Sequence, residues 1–106
     1  MKLIMVIVNS EDSNKLVDKL AKNKVRVTKL ASTGGFLRSG NSTLFIGTED
    51  EKVEEIIAII KDTCSSRTQT VTAPSFGINA GINMPMEVVV GGATIFVVDV
   101  DRYEKI

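Results

Sequence analysis

The sequence contains no histidine, no tryptophan and only one cysteine, Cys64, among its 106 residues. Without histidine and a second cysteine, the chain lacks the residue types that most often form a nucleophile and its base. It also has no Gly-x-Ser-x-Gly elbow, no Walker A sequence and no Gly-x-Gly-x-x-Gly fingerprint. We therefore expect no catalytic residues, no metal site and no cofactor, and we predict a protein that binds its ligand without transforming it.

Cysteine is too scarce for a disulfide bond within the chain. Cys64 stands alone at the end of a helical pattern, so we expect an inert packing role there. Residues 1–8 contain an apolar run of six residues, which is too short to cross a membrane and is not followed by a cleavage site. Together these features favour a cytoplasmic protein.

Neither sign of charge is in excess, because 13 lysines and arginines balance 13 aspartates and glutamates. Nucleic-acid polymers and acidic membranes are usually held by a basic excess. We therefore expect neither of them as a partner. A small nucleotide remains compatible with this composition, since one or two well-placed cations are enough to hold its phosphates.

The spacing of apolar residues predicts one domain over residues 1–106, with the order strand, helix, strand, strand, helix, strand. The predicted strands cover residues 2–8, 25–32, 42–47, 87–90 and 94–100, of which the last two form a final pair. Glu11 and Asp12 place negative charge in the first turn of the first helix, where the helix dipole favours it. Thr48 and Glu51 match a capping box at the start of the second helix.

The segment of residues 65–86 is long and polar, and both prolines of the chain interrupt it. This length exceeds what is usual for an inert connection in a compact domain. We expect a functional or mobile loop here, with at most a short strand near residues 69–72. Gly91 and Gly92 then indicate a bulge or a close backbone approach before the last strand.

This order of elements is the split arrangement of a ferredoxin-like α+β sandwich, in which two helices cover one face of the sheet. The last strand is nevertheless apolar on both faces, with Phe96 and Val98 on one side and Ile95 and Val97 on the other. An uncovered apolar face of that size exceeds what a soluble monomer usually exposes. We therefore expect a closed cyclic oligomer that buries it.

The loop between the second and third strands carries the first candidate binding residues. Gly34, Gly35 and Gly40 free the backbone to form an anion-binding nest, or they serve only as a turn. Phe36 between them can stack on a base or pack against its own subunit. Asn41 offers a donor and an acceptor, the combination that reads adenine, although asparagine after glycine is also a common turn.

Arg26 and Thr28 share one face of the second strand, where a cation and a hydroxyl can together hold a phosphate. The simpler interpretation is a solvated strand face. The pair Gly91 and Gly92 is a weak signal when it is considered alone.

Longer motifs select between these alternatives. Residues 26–41, RVTKLASTGGFLRSGN, and residues 88–97, VVVGGATIFV, closely resemble the signature of the bacterial PII-like cyclic di-AMP receptors. The opening strand followed by Glu11, Asp12 and Ser13 resembles it too, so the similarity runs over nearly the whole chain.

The resemblance implies a homotrimer of PII-like, ferredoxin-fold subunits that binds cyclic di-AMP in the clefts between neighbours. It implies that arginine and threonine line the phosphates, that a short loop wraps the ligand, and that an asparagine and a glycine meet an adenine. An aromatic side chain is implied to pack from the neighbouring subunit's last strand. The ligand-binding residues expected on this basis are Arg26, Thr28, Gly35, Phe36, Leu37, Asn41, Gly47, Gly92 and Phe96. A downstream protein target is the expected further partner.

Three alternatives share the predicted topology or assembly. A PII-type sensor of ATP or ADP needs several basic residues around a triphosphate, whereas residues 65–86 offer only Arg67 near their start. A small enzyme of the acylphosphatase type needs an arginine-bearing loop after the first strand, where this chain has residues 9–12, Asn-Ser-Glu-Asp. A purely structural trimer is the third, and it would bind no ligand.

Overall fold

A four-stranded antiparallel sheet and two helices form the body of the computed structural model, which describes residues 1–30, 40–74 and 83–106. In chain order the elements are β1 (Lys2–Asn9), α1 (Ser10–Lys22), β2 (Thr28–Leu30), β3 (Asn41–Thr48), a 3-10 turn (Asp50–Lys52), α2 (Val53–Cys64), β4 (Arg67–Pro74), β5 (Asn83–Val90) and β6 (Ala93–Asp99). The strand order in the main sheet is β2-β3-β1-β6, while β4 and β5 form a separate two-stranded sheet. The predicted α+β class is confirmed.

The central strand β1 alternates between two faces because successive strand side chains point in opposite directions. The side chains facing the helices are buried, and they are Ile4, Val6 and Val8. The side chains on the opposite face are only half-buried, and they are Leu3, Met5 and Ile7. The two helices therefore cover one face of the sheet.

Both helices form the core with the apolar stripe that their spacing predicts. Leu16 and Leu20 of α1 and Ile56 and Ile60 of α2 are buried against Ile46 of β3 and its neighbours. Burying one such side chain contributes about 1.5–3 kcal/mol. Ala21, near the end of α1, is exposed.

The predicted capping box at the start of α2 is wrong. Thr48 is the last residue of β3, and it is buried on the helix-covered face of the sheet rather than free to cap a helix. A 3-10 turn follows, and α2 begins at Val53 after Lys52, whose side chain makes no capping hydrogen bond. The prediction placed the start of the helix one turn too early. Thr48 and Glu51 have the spacing of a capping box, but Thr48 still belongs to the preceding strand.

The second predicted strand is shorter in the structure, since β2 comprises only Thr28–Leu30. Residues 25–27 precede the strand, and the predicted end at residues 31–32 lies outside the described residues. Arg26 therefore lies outside the paired strand on which it was expected to share a face with Thr28. Thr28 lies opposite Phe45 and Leu30 opposite Thr43, so both point away from the helices.

Much of the segment predicted as a long loop is a hairpin. β4 pairs with β5 in antiparallel register from Arg67 opposite Val90 to Pro74 opposite Asn83. The short strand expected near residues 69–72 is thus part of a longer one. Proline is tolerated here because both strands of a two-stranded sheet are edge strands. The predicted final pair is also wrong, since β5 pairs with β4 while β6 pairs with β1.

Candidate functional site

Six of the nine expected ligand-binding residues lie in the part of the chain that the structure describes. Gly35, Phe36 and Leu37 belong to residues 31–39 and lie outside it. Their expected roles therefore stay predictions. The described residues fall into two groups at opposite ends of the sheet, with Phe96 between them.

The first group contains Asn41, at the start of β3, and Gly92, just before β6. Both line a cavity of about 290 Å³ at one end of the sheet, together with Asn9 and Thr94. Asn41 is half-buried, and its Cα partner across the sheet is Asn9. Because directly opposed residues in a ladder share one face, the two amide side chains lie on the same side of the sheet.

The second group contains Arg26 and Gly47, which line a cavity of about 270 Å³ at the other end of β3. Lys24 and Lys52 line it as well, together with Glu49, so three basic side chains and one acidic side chain border this cavity. Arg26 and Thr28 also border a neighbouring cavity of about 700 Å³. The sequence interpretation missed the two lysines because they lie in a turn and in a 3-10 segment, where spacing does not indicate a shared surface.

These two groups lie far apart within one subunit. Asn41 and Gly47 are separated by six residues along β3, which at 3.3–3.4 Å per residue is about 20 Å. Both were expected to meet an adenine. One subunit does not place them against the same base, so a site that uses both must draw them from different subunits or from different parts of a ligand.

Phe96 lies on the apolar face that the helices leave uncovered, which we call the open face. The cross-strand register aligns Phe96 with Met5, Met5 with Phe45, and Phe45 with Thr28 in one row. Three strand spacings of about 4.8 Å put Thr28 and Phe96 roughly 14 Å apart. Phe96 is 49% exposed in the isolated chain, and Val98 in the adjoining row is 47% exposed.

The turn that holds Gly92 is anchored by close backbone contacts. Gly91 and Gly92 have φ angles of +78° and +86°, and the Gly92 amide donates to the carbonyl of Cys64 at the end of α2. A Cβ atom on Gly91 would lie 2.9 Å from the carbonyl oxygen of Ser65. The close backbone approach predicted for this glycine pair is therefore confirmed at Gly91.

An ion pair lies beside this turn and joins α1 to β4. Nη2 of Arg67 is 3.1 Å from Oδ1 of Asp12, and Nη1 is 3.5 Å from Oδ2. The Asp12 side chain is 5% exposed, whereas that of Arg67 is 48% exposed. The hydrogen bond to Asp12, followed by its charge, raises the pKa of Arg67. Arg67 is thus paired with a carboxylate of its own chain.

The lone thiol has the inert environment that was expected. Cys64 is the last residue of α2 and is almost completely buried. Burial, followed by the negative charge of Asp12, raises the pKa of Cys64. A raised pKa keeps the sulfur as the unreactive thiol at neutral pH.

Two properties of the described residues bear on the class of site. Within residues 1–30, 40–74 and 83–106, no group of three or more metal-ligating side chains is close enough together to hold an ion. Across the same described ranges, neither helix has the length and apolar character needed to cross a membrane.

Comparison with known proteins points to one family. A sequence model of the family described as "Cyclic-di-AMP receptor" matches residues 1–106, the whole chain. Among solved structures, the chain is similar to one described as a functionally unknown protein from Pediococcus pentosaceus ATCC 25745. The two are 42% identical with a TM-score of 0.80, and the match covers 99% of this chain and 96% of the other.

Proposed function

Because the chain belongs to the cyclic-di-AMP receptor family, we propose that it binds cyclic di-AMP in clefts between the subunits of a homotrimer and acts as a signal receptor. The assignment to this family rests on the match over residues 1–106. The family is one of receptors, not of enzymes. We further propose that the chain forms a single PII-like domain with the ferredoxin-like order of strands and helices. On this proposal the protein acts in the cytoplasm and passes the signal to a downstream protein.

The separation of the two groups of residues supports a site between subunits. Asn41 and Gly92 lie at one end of the sheet, while Arg26 and Gly47 lie about 20 Å away at the other. A cleft between two subunits can bring one end from each together. Cyclic di-AMP has two adenines and two phosphates, so it can use an amide at one end and cations at the other.

The open face supports the oligomer. It presents apolar side chains from three adjacent strands, namely Leu3, Met5, Ile7, Phe45, Phe96 and Val98. The helices do not cover them, and a contiguous apolar patch on a protein surface usually marks an interface. Three sheets packed around a threefold axis bury such a face on every subunit. The sheet order β2-β3-β1-β6 supports the ferredoxin-like assignment.

The ion pair of Arg67 bears on the ATP-sensing alternative. Arg67 is the one cation of residues 65–86, and it already hydrogen-bonds to Asp12. Recruiting it to a triphosphate would leave a buried carboxylate without its partner, which costs free energy. The geometry therefore argues against Arg67 as a ligand of a triphosphate.

The residues after β1 bear on the acylphosphatase alternative. That activity needs an arginine-bearing loop, whereas here Asn9 caps α1 directly and the helix begins at Ser10. No loop separates the strand from the helix at this point, so an anion-binding cradle of that type is not formed.

Isothermal titration calorimetry with cyclic di-AMP, cyclic di-GMP and ATP tests the proposal. We expect the tightest binding for cyclic di-AMP, at one ligand per subunit. Arg26→Ala should weaken both cyclic dinucleotides by similar factors, because a phosphate contact carries no base information. Lys15→Ala, which removes an exposed cation from α1, is the matched control and should bind like the parent. Absence of binding to cyclic di-AMP, or tighter binding of ATP, would contradict the proposal.

Light scattering of the free protein tests the assembly separately. We expect about three times the 11.5 kDa subunit mass without ligand, because the open face must be covered before any nucleotide is present. A stable monomer at micromolar concentration would refute the trimer.

A further inference from the structure

The last residue of β1, Asn9, lies next to the adenine-binding candidate Asn41. The two are Cα partners at the end of the β1–β3 ladder, and both line the cavity of about 290 Å³ that also contains Gly92. Directly opposed residues in an antiparallel ladder have Cα atoms about 4.5–5.5 Å apart, so their side chains are neighbours on one face. Two carboxamides thus stand side by side at this end of the sheet.

The Asn9 amide has a fixed orientation. Its Oδ1 accepts a hydrogen bond of 2.8 Å from the backbone N–H of Glu11, which makes Asn9 the N-cap of α1. Only the oxygen of an amide can accept from an N–H group, so the assignment of oxygen and nitrogen follows from this bond. The oxygen and nitrogen of a planar amide point in different directions, and Nδ2 is therefore turned away from the helix. Asn9 therefore presents its Nδ2 donor on the side that faces away from the helix.

We propose that Asn9 is a base-specificity residue of this site, whose Nδ2 donates to the N1 ring nitrogen of the adenine that Asn41 contacts. The inference rests on the proposed binding of cyclic di-AMP. Asn41 can accept from the exocyclic amine and donate to N7, as amides commonly do with adenine. That contact leaves N1 as an acceptor on the other side of the amine. The fixed donor of Asn9 complements it.

The same arrangement rejects guanine. Guanine carries a hydrogen on N1, so two donors would face each other and one would lose its partner in a partly buried site. The helix cap disfavours turning the Asn9 oxygen toward the base, because that rotation would break the hydrogen bond from the Glu11 N–H. The cap is therefore what makes the residue selective for adenine.

Asn9→Asp separates the two roles of this residue. Aspartate caps a helix as well as asparagine does, and its charge is favourable at a helix N-terminus. It replaces the donor by an acceptor, which suits the N1 hydrogen of guanine. We expect the melting temperature of the free protein to be unchanged or higher. We expect the preference for cyclic di-AMP over cyclic di-GMP, measured by calorimetry, to fall at least about tenfold, in line with the discrimination of a good base contact.

Two further variants complete the test. Asn14→Asp adds the same charge at an exposed position of α1 and should preserve the preference of the parent. Asn9→Ser keeps a cap, but its shorter side chain does not carry a donor out to N1, and it should weaken cyclic di-AMP binding while changing cyclic di-GMP binding little. An unchanged preference in Asn9→Asp, or an equal loss for both dinucleotides, would refute the role of Asn9. A parent protein that binds no cyclic di-AMP would instead refute the proposed function itself.

Discussion

Substituting alanine for each glycine of the Gly91–Gly92 turn is expected to give unequal losses of stability, although both residues have φ angles near +80°. A left-handed backbone costs a non-glycine residue about 1–2 kcal/mol, and both substitutions incur it. For Gly92→Ala the nearest atom to the added Cβ is the Cβ of Ser66 at 3.5 Å, an ordinary contact. We therefore expect about 1–2 kcal/mol for Gly92→Ala.

Gly91→Ala adds a steric conflict to the same backbone cost. The new Cβ would lie 2.5 Å from Nη1 of Arg67 and 2.9 Å from the carbonyl oxygen of Ser65. The arginine side chain can move, but the backbone oxygen cannot move without displacing the end of α2. Overpacking of this kind costs about 1–3 kcal/mol, so the total should be about 2–5 kcal/mol.

Urea denaturation of the free proteins, followed by circular dichroism, measures both losses. The midpoint for Gly91→Ala should be lower than that for Gly92→Ala, with similar m-values. The double variant Gly91→Ala/Arg67→Ala removes the flexible neighbour but keeps the Ser65 oxygen, so it should not be more stable than Arg67→Ala alone. Equal midpoints for the two glycine variants would refute the contact geometry.

Three further results are expected. Arg67→Met should lower the melting temperature more than Asp12→Asn does, because it leaves the buried carboxylate of Asp12 unpaired. Asp12→Asn instead leaves the half-exposed Arg67 cation, which water can solvate. The reverse order of melting temperatures would contradict this difference in burial. Asn41→Ala should bind cyclic di-AMP at least about tenfold more weakly by calorimetry, since an amide contact to adenine contributes about 1–3 kcal/mol. Light scattering should show the same mass as for the parent protein. Undiminished affinity would exclude Asn41 from the site. Alkylation of Cys64 in the folded protein should accelerate only at a pH above that at which an exposed thiol reacts, because burial raises the pKa of this thiol. Rapid alkylation near neutral pH would show that the Cys64 thiol is accessible to solvent.

The local pattern of the sequence predicted most of the main sheet and both helices. β1 and β3 begin and end within one residue of their predicted bounds, because alternating or continuous apolar residues report burial directly. The start of α2 was placed too early, since the capping spacing of Thr48 and Glu51 does not reveal that Thr48 still belongs to a strand. The β4–β5 hairpin was predicted as a loop because its prolines and polar residues resemble a connection until the partner strand is known.

Sequence alone determined the family, because the long motifs around residues 26–41 and 88–97 resemble the receptor family whose model matches the whole chain. Only the tertiary structure decided which residues share a surface. Asp12 and Arg67 are 55 positions apart in the chain, and Asn9 lies opposite Asn41 only because of the β1–β3 register. Conversely, Asn41 and Gly47 are close in sequence and far apart in space, because an extended strand separates its ends by its full length. Local periodicity shows which face of an element is buried, whereas the pairing of distant elements depends on how the whole chain packs.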